Sequence, residues 1–313
     1  MFTKRQEAEL ITSIQGRGEI PLKFVYLGDG AKKWQAIAQK RSGGGINSME
    51  AQLLTKRAKD FLSVFAEAKK INIIDIGCGD GTPVLPLLAE LEEQGVAFRY
   101  VPLDISQEML DIAEKTIVGK YKDCEVKKVL LDFELGNFSD VTYDLKSDGS
   151  SNLLLFLGST IGNFSDRNRV LTNIRDSMSS DDFLMVGVEM TNFAKVSKLL
   201  PHYTDKLIED VLRKVPSDLG IKKPATVYDV NWNDVEGQVE AWLSFKKDQE
   251  FVVGENKMKL EANERILLMR SVKFNEWTFT KLISDVGLRT ELLTTSPDRT
   301  YVLSMVQPTR YSV

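Results

Sequence analysis

The sequence has little of what disulfide scaffolds, metal centres and polyanion binders are made from. Its 313 residues include two cysteines, Cys78 and Cys124, and one histidine. Two thiols are too few to staple a chain of this length, and with a single imidazole they form no metal-ligand spacing. Neither a disulfide framework nor a bound metal is therefore expected. Basic runs are also missing: no Lys/Arg tract exceeds a pair, and the formal net charge is −4. That excludes a surface built to neutralise phosphates, so nucleic acid and anionic membrane are not expected partners. No apolar run approaches the roughly 20 residues that cross a bilayer, and the opening MFTKRQEAEL lacks the apolar stretch of a signal peptide. A cytoplasmic location is expected. Internal repeats and low-complexity segments are absent as well.

What is present is a change of rhythm. Residues 1–70 carry two helical patterns split by a glycine-rich stretch at 42–45, which reads either as a connector or as a lid with glycine hinges. Five short β-rich runs follow, at 71–77, 98–105, 125–133, 151–158 and 182–190, separated by helix-spaced segments such as PVLPLLAELEEQ and QEMLDIAEKTI. Strand and helix in alternation predict an α/β fold, a Rossmann-like parallel sheet with helices on both faces. From 192 to 224 the chain reads as one or two helices. VEAWLSFKKDQEFVV and KMKLEANERILLMRSVKF then read as two long antiparallel strands around VGENK, followed by a helix and a last strand. The expected division is an N-terminal helical segment at 1–60, a core at 61–200, a substrate-side insertion at 201–270 and a strand-helix-strand at 271–313 that completes the core.

The first run ends IIDIGCGDG, with Asp75 at the strand end and glycines at 77, 79 and 81. Glycine there permits positive φ and lets a ligand lie against bare backbone, as a nucleoside site at a strand's carboxyl end requires. Dinucleotide sites use G-x-G-x-x-G at the same place, but here the third glycine comes one residue early. The spacing resembles that of class I S-adenosylmethionine (SAM) methyltransferases. On that reading Asp104, ending the second strand, accepts from the ribose hydroxyls. Asp132 and Phe133, ending the third, supply an acceptor for the adenine amine and an apolar wall. Taken singly, the glycines could be a tight turn, Asp104 a helix cap with Ser106 as its rival, and Phe133 core. Their order along three strands favours the cofactor.

The fourth run ends in FLGSTIGNF, and together with NERILLMRSVKF and the early YLGDGAKKWQAI it resembles the family of the histidine Nα-methyltransferase of ergothioneine biosynthesis. That family also includes fungal N-methyltransferases of tryptophan-derived amines. The resemblance extends from about residue 20 to 308, and GSTIGN is its most specific motif. It implies that Asn163 holds the amino group of the substrate, a role its amide can fill by accepting from an amine and donating to a carboxylate. It also implies that Gly158 leaves room for the cofactor, that Tyr203 helps hold the substrate carboxylate, and that Ser271 contacts substrate.

Two departures bear on specificity. Histidine-specific members carry an acid two positions before that serine, where this chain has Met269, and a tyrosine-rich turn where it has GGGINSME. A site without those handles does not pair a buried imidazole and suits something larger or less polar. The expected activity is SAM-dependent N-methylation of a small amino acid or related amine other than histidine, with Asn163 and Tyr203 positioning it. The alternatives are an O-methyltransferase on a small carboxylate or phenol, and a SAM-binding pseudoenzyme. The partner is a small molecule, the chain a monomer or weak homodimer. His202 and Cys78 are expected to be structural, Phe164 to pack, and Tyr26, Trp34, Trp232 and Trp242 to be core more often than pocket.

Overall fold

The computed structural model describes residues 2–41, 46–191 and 196–309. In chain order these form α1 (Lys4–Arg17), α2 (Asp29–Arg41), α3 (Ile46–Leu62), β1 (Lys70–Ile76), α4 (Leu85–Glu93), β2 (Ala97–Asp104), α5 (Gln107–Lys120), β3 (Glu125–Val126), β4 (Val129–Leu130), α6 (Ser139–Leu145), β5 (Ser151–Phe156), α7 (Arg167–Arg175) and β6 (Phe183–Glu189). Then come α8 (Val196–Tyr203), α9 (Lys206–Leu212), α10 (Lys214–Asp218), β7 (Thr226–Asn233), β8 (Gln238–Phe245), β9 (Gln249–Val253), β10 (Asn256–Leu260), β11 (Arg265–Val272), α11 (Glu276–Asp285), β12 (Leu288–Thr295) and β13 (Tyr301–Pro308). The glycine stretch at 42–45 lies outside the described residues. No described helix is long and apolar enough to cross a membrane.

The chain divides into two compact units, Ala38–Thr191 with Lys273–Val313, and Met1–Ile37 with Asn192–Val272. The first holds a sheet in the order β12-β13-β6-β5-β1-β2-β3, with β4 also on β2. All its pairings are parallel except those of β13 with β6 and β12. This is the α/β, Rossmann-like sheet that the alternation of strand and helix predicts. Ile71, Ile73, Ile74 and Ile76 of β1 and Leu153–Phe156 of β5 are all buried, because helices cover both faces and a central strand then has no solvent side. Ser106 caps α5, whose Met109, Leu110, Ala113 and Ile117 are buried on one stripe.

The third strand, read as one run over 125–133, is two fragments. Tyr100 and Asp104 of β2 accept from Lys127 and Leu131 through their carbonyls, so the residue midway between them, Pro102, faces the same neighbour. Proline has no N–H to give, and the ladder opens there.

The second unit holds a three-stranded antiparallel sheet, β11-β8-β7, and the β9–β10 pair. The expected long hairpin does turn at Gly254 and Glu255, but each arm breaks in the middle. Asn263 takes a positive φ of 71° and donates its N–H to Phe245 O, while Asp248 accepts from Ala262 N–H. β7 and β12, to which the sequence reading assigned no element, extend β8 and β13 respectively.

Candidate functional site

In the first unit the chain leaves β1 toward β2 on one side, whereas β5 and β6 lie on the other. Loops that part at such a switch point open a crevice at the carboxyl ends of the strands. Gly77, Gly79 and Gly81 follow β1 with φ of 67°, 53° and 73°. Their surroundings differ. A Cβ on Gly81 would sit 3.2 Å from the Ala113 backbone of α5, whereas one on Gly79 would meet nothing within 4 Å. Gly81 thus serves helix packing, and the bare backbone faces open space at Gly79. Asp80 ties the loop by accepting from the Thr82 N–H and hydroxyl at 3.0 and 2.6 Å.

Two buried acids, Asp75 and Asp104, and the half-buried Asp132 meet this edge. Asp75 accepts from the Tyr100 hydroxyl at 2.7 Å; burial pushes its pKa up to about 7, the Tyr100 hydrogen bond opposes this, and the charges of Glu50, Asp104 and Asp80 add to it. Asp104 accepts from Ser106 N–H at 2.9 Å, and burial likewise raises it to about 7. Capping of α5 falls to Ser106, which accepts from Met109 N–H, so Asp104 is not the cap. Asp132, half-buried beyond β4, accepts from Glu134 N–H. Cys78 is buried, which raises its thiol well above its ordinary value, as suits a packing residue.

At the end of β5 the backbone turns sharply. Gly158 and Ser159 take φ of 69° and 58°, and a 3-10 turn runs over Thr160–Asn163. Left-handed geometry at a non-glycine residue costs roughly 1–3 kcal/mol. It is held here by Ser159 N–H donating to Gly187 O at 3.1 Å and by Ser159 Oγ accepting from Glu189 N–H at 3.0 Å. Thr160 Cγ2 lies 3.8 Å from where a Gly77 Cβ would stand, so the two loops are neighbours. Asn163 is half-buried at the turn's exit, and its side chain hydrogen-bonds to no described residue. Phe164 stacks at 6.2 Å on Phe156, and Phe133 meets both rings edge-on at 5.7 and 5.8 Å. Phe133 and Phe164 thus form one aromatic wall.

Sequence reading missed Glu50. It is 1% exposed; its Oε2 accepts from Gly158 N–H at 2.8 Å and from the Tyr301 hydroxyl. The signal was present, because Glu50 falls on the apolar stripe of α3 that Leu53, Leu54, Ala58 and Phe61 continue, where an acid has no solvent to face.

The second unit gathers the other candidates on one face of its sheet. Cross-strand pairing aligns Trp232, Val239 and Ser271, and in the next row Val230, Ala241 and Met269. Ser271 and Met269 are 5% and 7% exposed. Tyr203, the last residue of α8, reaches Ser271 Oγ with its hydroxyl at 3.1 Å, while its carbonyl accepts from the Tyr228 hydroxyl. Trp242 is on the opposite face under Arg265, 4.5 Å from ring centre to guanidinium, and Tyr26 packs edge-on against Trp34. His202 is exposed, and one residue's step along α8 separates it from the buried Tyr203.

A family model described as histidine-specific, SAM-dependent methyltransferase matches residues 6–308. A histidine N-alpha-methyltransferase of Mycolicibacterium smegmatis is 25% identical over 82% of this chain and 80% of its own. Ergothioneine biosynthesis protein 1 of Neurospora crassa is 26% identical over 87% of this chain but 31% of its own. The N-methyltransferase imqF of Aspergillus flavus is 21% identical over 77% and 68%.

Proposed function

Because the chain belongs to the histidine-specific, SAM-dependent methyltransferase family, we propose that it N-methylates a small amino acid or related amine other than histidine, with an aromatic acceptor favoured. SAM, when bound, supplies a methyl group on a sulfonium, already attached to a good leaving group. The chain's own task is to hold an amine in line with that methyl and keep water out. Gly79 and Asp104 are read as holding the nucleoside, with Asp75 and Gly77 beside its tail and Asp132 and Phe133 at the base. Asn163 Oδ1 accepts from the acceptor N–H, which turns the nitrogen lone pair toward the methyl. The N–H proton released on transfer goes to water. Tyr203 and Ser271 are read as acceptor contacts, each testable by itself.

The observation that carries the choice of acceptor is Met269. It stands one row from Ser271, and the other members of the two rows, Val230, Ala241, Val239 and Trp232, supply no acid for an imidazole. The test is turnover with histidine, tryptophan, tyrosine, tryptamine and tyramine, scored for base-stable methyl products. An aromatic amine is expected to lead and histidine to trail by at least about tenfold, the scale on which a buried unpaired polar group discriminates; histidine as the best acceptor would overturn the reading. Met269→Glu is expected to shift the ratio back toward histidine in the same assay.

The cofactor reading has a pH signature. Asp75 and Asp104 both titrate near 7 in the free protein, and a cationic ligand favours their ionised forms. Each is about tenfold less ionised at a pH one unit below its pKa. SAM binding measured by calorimetry should therefore tighten from pH 6 to pH 8, by about tenfold or more, and release protons at pH 7. An affinity that is flat across this range would remove both acids from the site.

A further inference from the structure

Glu50 is a carboxyl group in an unusual position. No described basic side chain pairs with it; its Oε2 takes two donors, Gly158 N–H and the Tyr301 hydroxyl, and its Oε1 is buried with no partner. The sheet makes room for it: a Cβ on Gly187 of β6 would stand 2.6 Å from Glu50 Oε2 and 2.5 Å from Tyr301 Oη. If the group only anchored the Gly158 turn, a glutamine would accept the same two hydrogen bonds with no charge to bury. The acid instead adds a further carboxyl group to the surroundings of Asp75, on which its charge acts.

We propose that Glu50 is a positioning residue whose negative charge, acting through space beside Gly158, makes the site prefer the sulfonium cofactor to its neutral thioether product, S-adenosylhomocysteine. The inference rests on the cofactor placement proposed above. The two ligands share every hydrogen-bonding group and differ by one methyl and one positive charge, so a nearby negative charge acts on their ratio through the sulfonium. Through-space attraction of this kind needs no contact, and in a partly desolvated site it is worth far more than in water. Product release after methyl transfer would gain by the same difference.

Among the described residues, Gly158 N–H after β5 and the Tyr301 hydroxyl on β13 act on Glu50, and Asp75 on β1 feels its charge. Tyr301 is met in turn by the Ser159 backbone and by Glu189 on β6, which is ion-paired to the buried Lys273. Burial raises the pKa of Glu50 above the ordinary carboxylate value, and the two hydrogen bonds offset only part of that rise.

The test is calorimetric binding of SAM and of S-adenosylhomocysteine to the full chain and to Glu50→Gln at pH 8. We expect Glu50→Gln to lose about tenfold in the ratio of the two affinities, nearly all from SAM, with the homocysteine ligand held within about twofold. An unchanged ratio overturns the proposal. Should Glu50→Gln fail to fold, Tyr301→Phe serves: losing the hydroxyl makes Glu50 harder to ionise, so the pH at which the SAM preference sets in should move up, and an unmoved profile is the overturning result. Asp104→Asn separates the two levels. If it weakens neither ligand, the cofactor placement falls and this proposal with it; if it weakens both while Glu50→Gln keeps the wild-type ratio, only the proposal falls.

Discussion

Asp104→Asn should weaken SAM binding by about a hundredfold or more and at the same time leave the ligand-free protein as stable as the wild type, or more so, at pH 8. The affinity loss follows from the geometry. Asp104 sits 7% exposed at the carboxyl end of β2, its Oδ1 engaged by Ser106 N–H, and a carboxylate that accepts from two ribose hydroxyls contributes about 1.5–3 kcal/mol per charge-assisted bond. An amide keeps the Ser106 bond and loses the charge. The stability gain follows from linkage. The carboxyl is harder to ionise in the folded chain, where it titrates near 7, than in the unfolded chain near 3.8. The folded state is thus favoured fully below the unfolded value, and that advantage is lost as the pH rises through about 7. At pH 8 the wild type bears the whole cost of a buried carboxylate, of order 4 kcal/mol before relaxation, and the amide does not. Calorimetric Kd and the thermal midpoint of the free protein give the two readings. A residue kept only for structure would lower the midpoint and leave Kd unchanged, and that pair of results at pH 8 would return Asp104 to a structural role.

The same contrast between stability and use explains how much could be read without coordinates. The sheet was legible because parallel strands buried on both faces are written as unbroken apolar runs, and INIIDI and SNLLLF can hardly be anything else. The break in the third strand was not, since it is caused by Pro102 on its neighbour, and a single run does not show which strand will lie beside it. The hairpin arms were drawn too long for a related reason: their interruption depends on Asn263 turning left-handed and on an Asp248 bond across the two arms, neither of which alters the alternation of apolar residues. At the carboxyl edge of the sheet, the glycines, Asp75 and Asp104 were singled out from spacing, but the division of labour between Gly79 and Gly81 is a matter of where α5 passes. Glu50 was the larger omission. An acid on the stripe Leu53, Leu54, Ala58 and Phe61 breaks the helical pattern, and such a conflict between a residue and its expected environment marks a position held for something other than stability.

Asn163→Ala is the variant expected to act on the acceptor side with the largest effect. The side chain stands at the exit of a turn whose backbone is fixed from several directions: Ser159 in a left-handed conformation, Thr160 hydroxyl bonded to Leu157 O at 2.7 Å, and Gly158 N–H held by Glu50. Nothing among the described residues bonds the Asn163 amide itself, so removing it breaks no contact that supports the fold, and the thermal midpoint should move little. An amine lone pair must point at the methyl carbon in line with the departing sulfur, and losing the group that sets that direction costs the proximity advantage; misplacement on the scale of 1 Å is worth about a hundredfold. We therefore expect kcat/KM for the acceptor to fall by about a hundredfold with S-adenosylhomocysteine affinity within about twofold of wild type. Asn163→Asp sharpens the assignment. A carboxylate still accepts from an amine but no longer donates, and it favours the protonated amine, which has no lone pair to attack with. Its activity should be low at neutral pH and recover as the pH rises, whereas the alanine variant should show a uniformly lowered profile. Equal loss of acceptor and cofactor affinities in Asn163→Ala would move the residue to the cofactor side of the reaction.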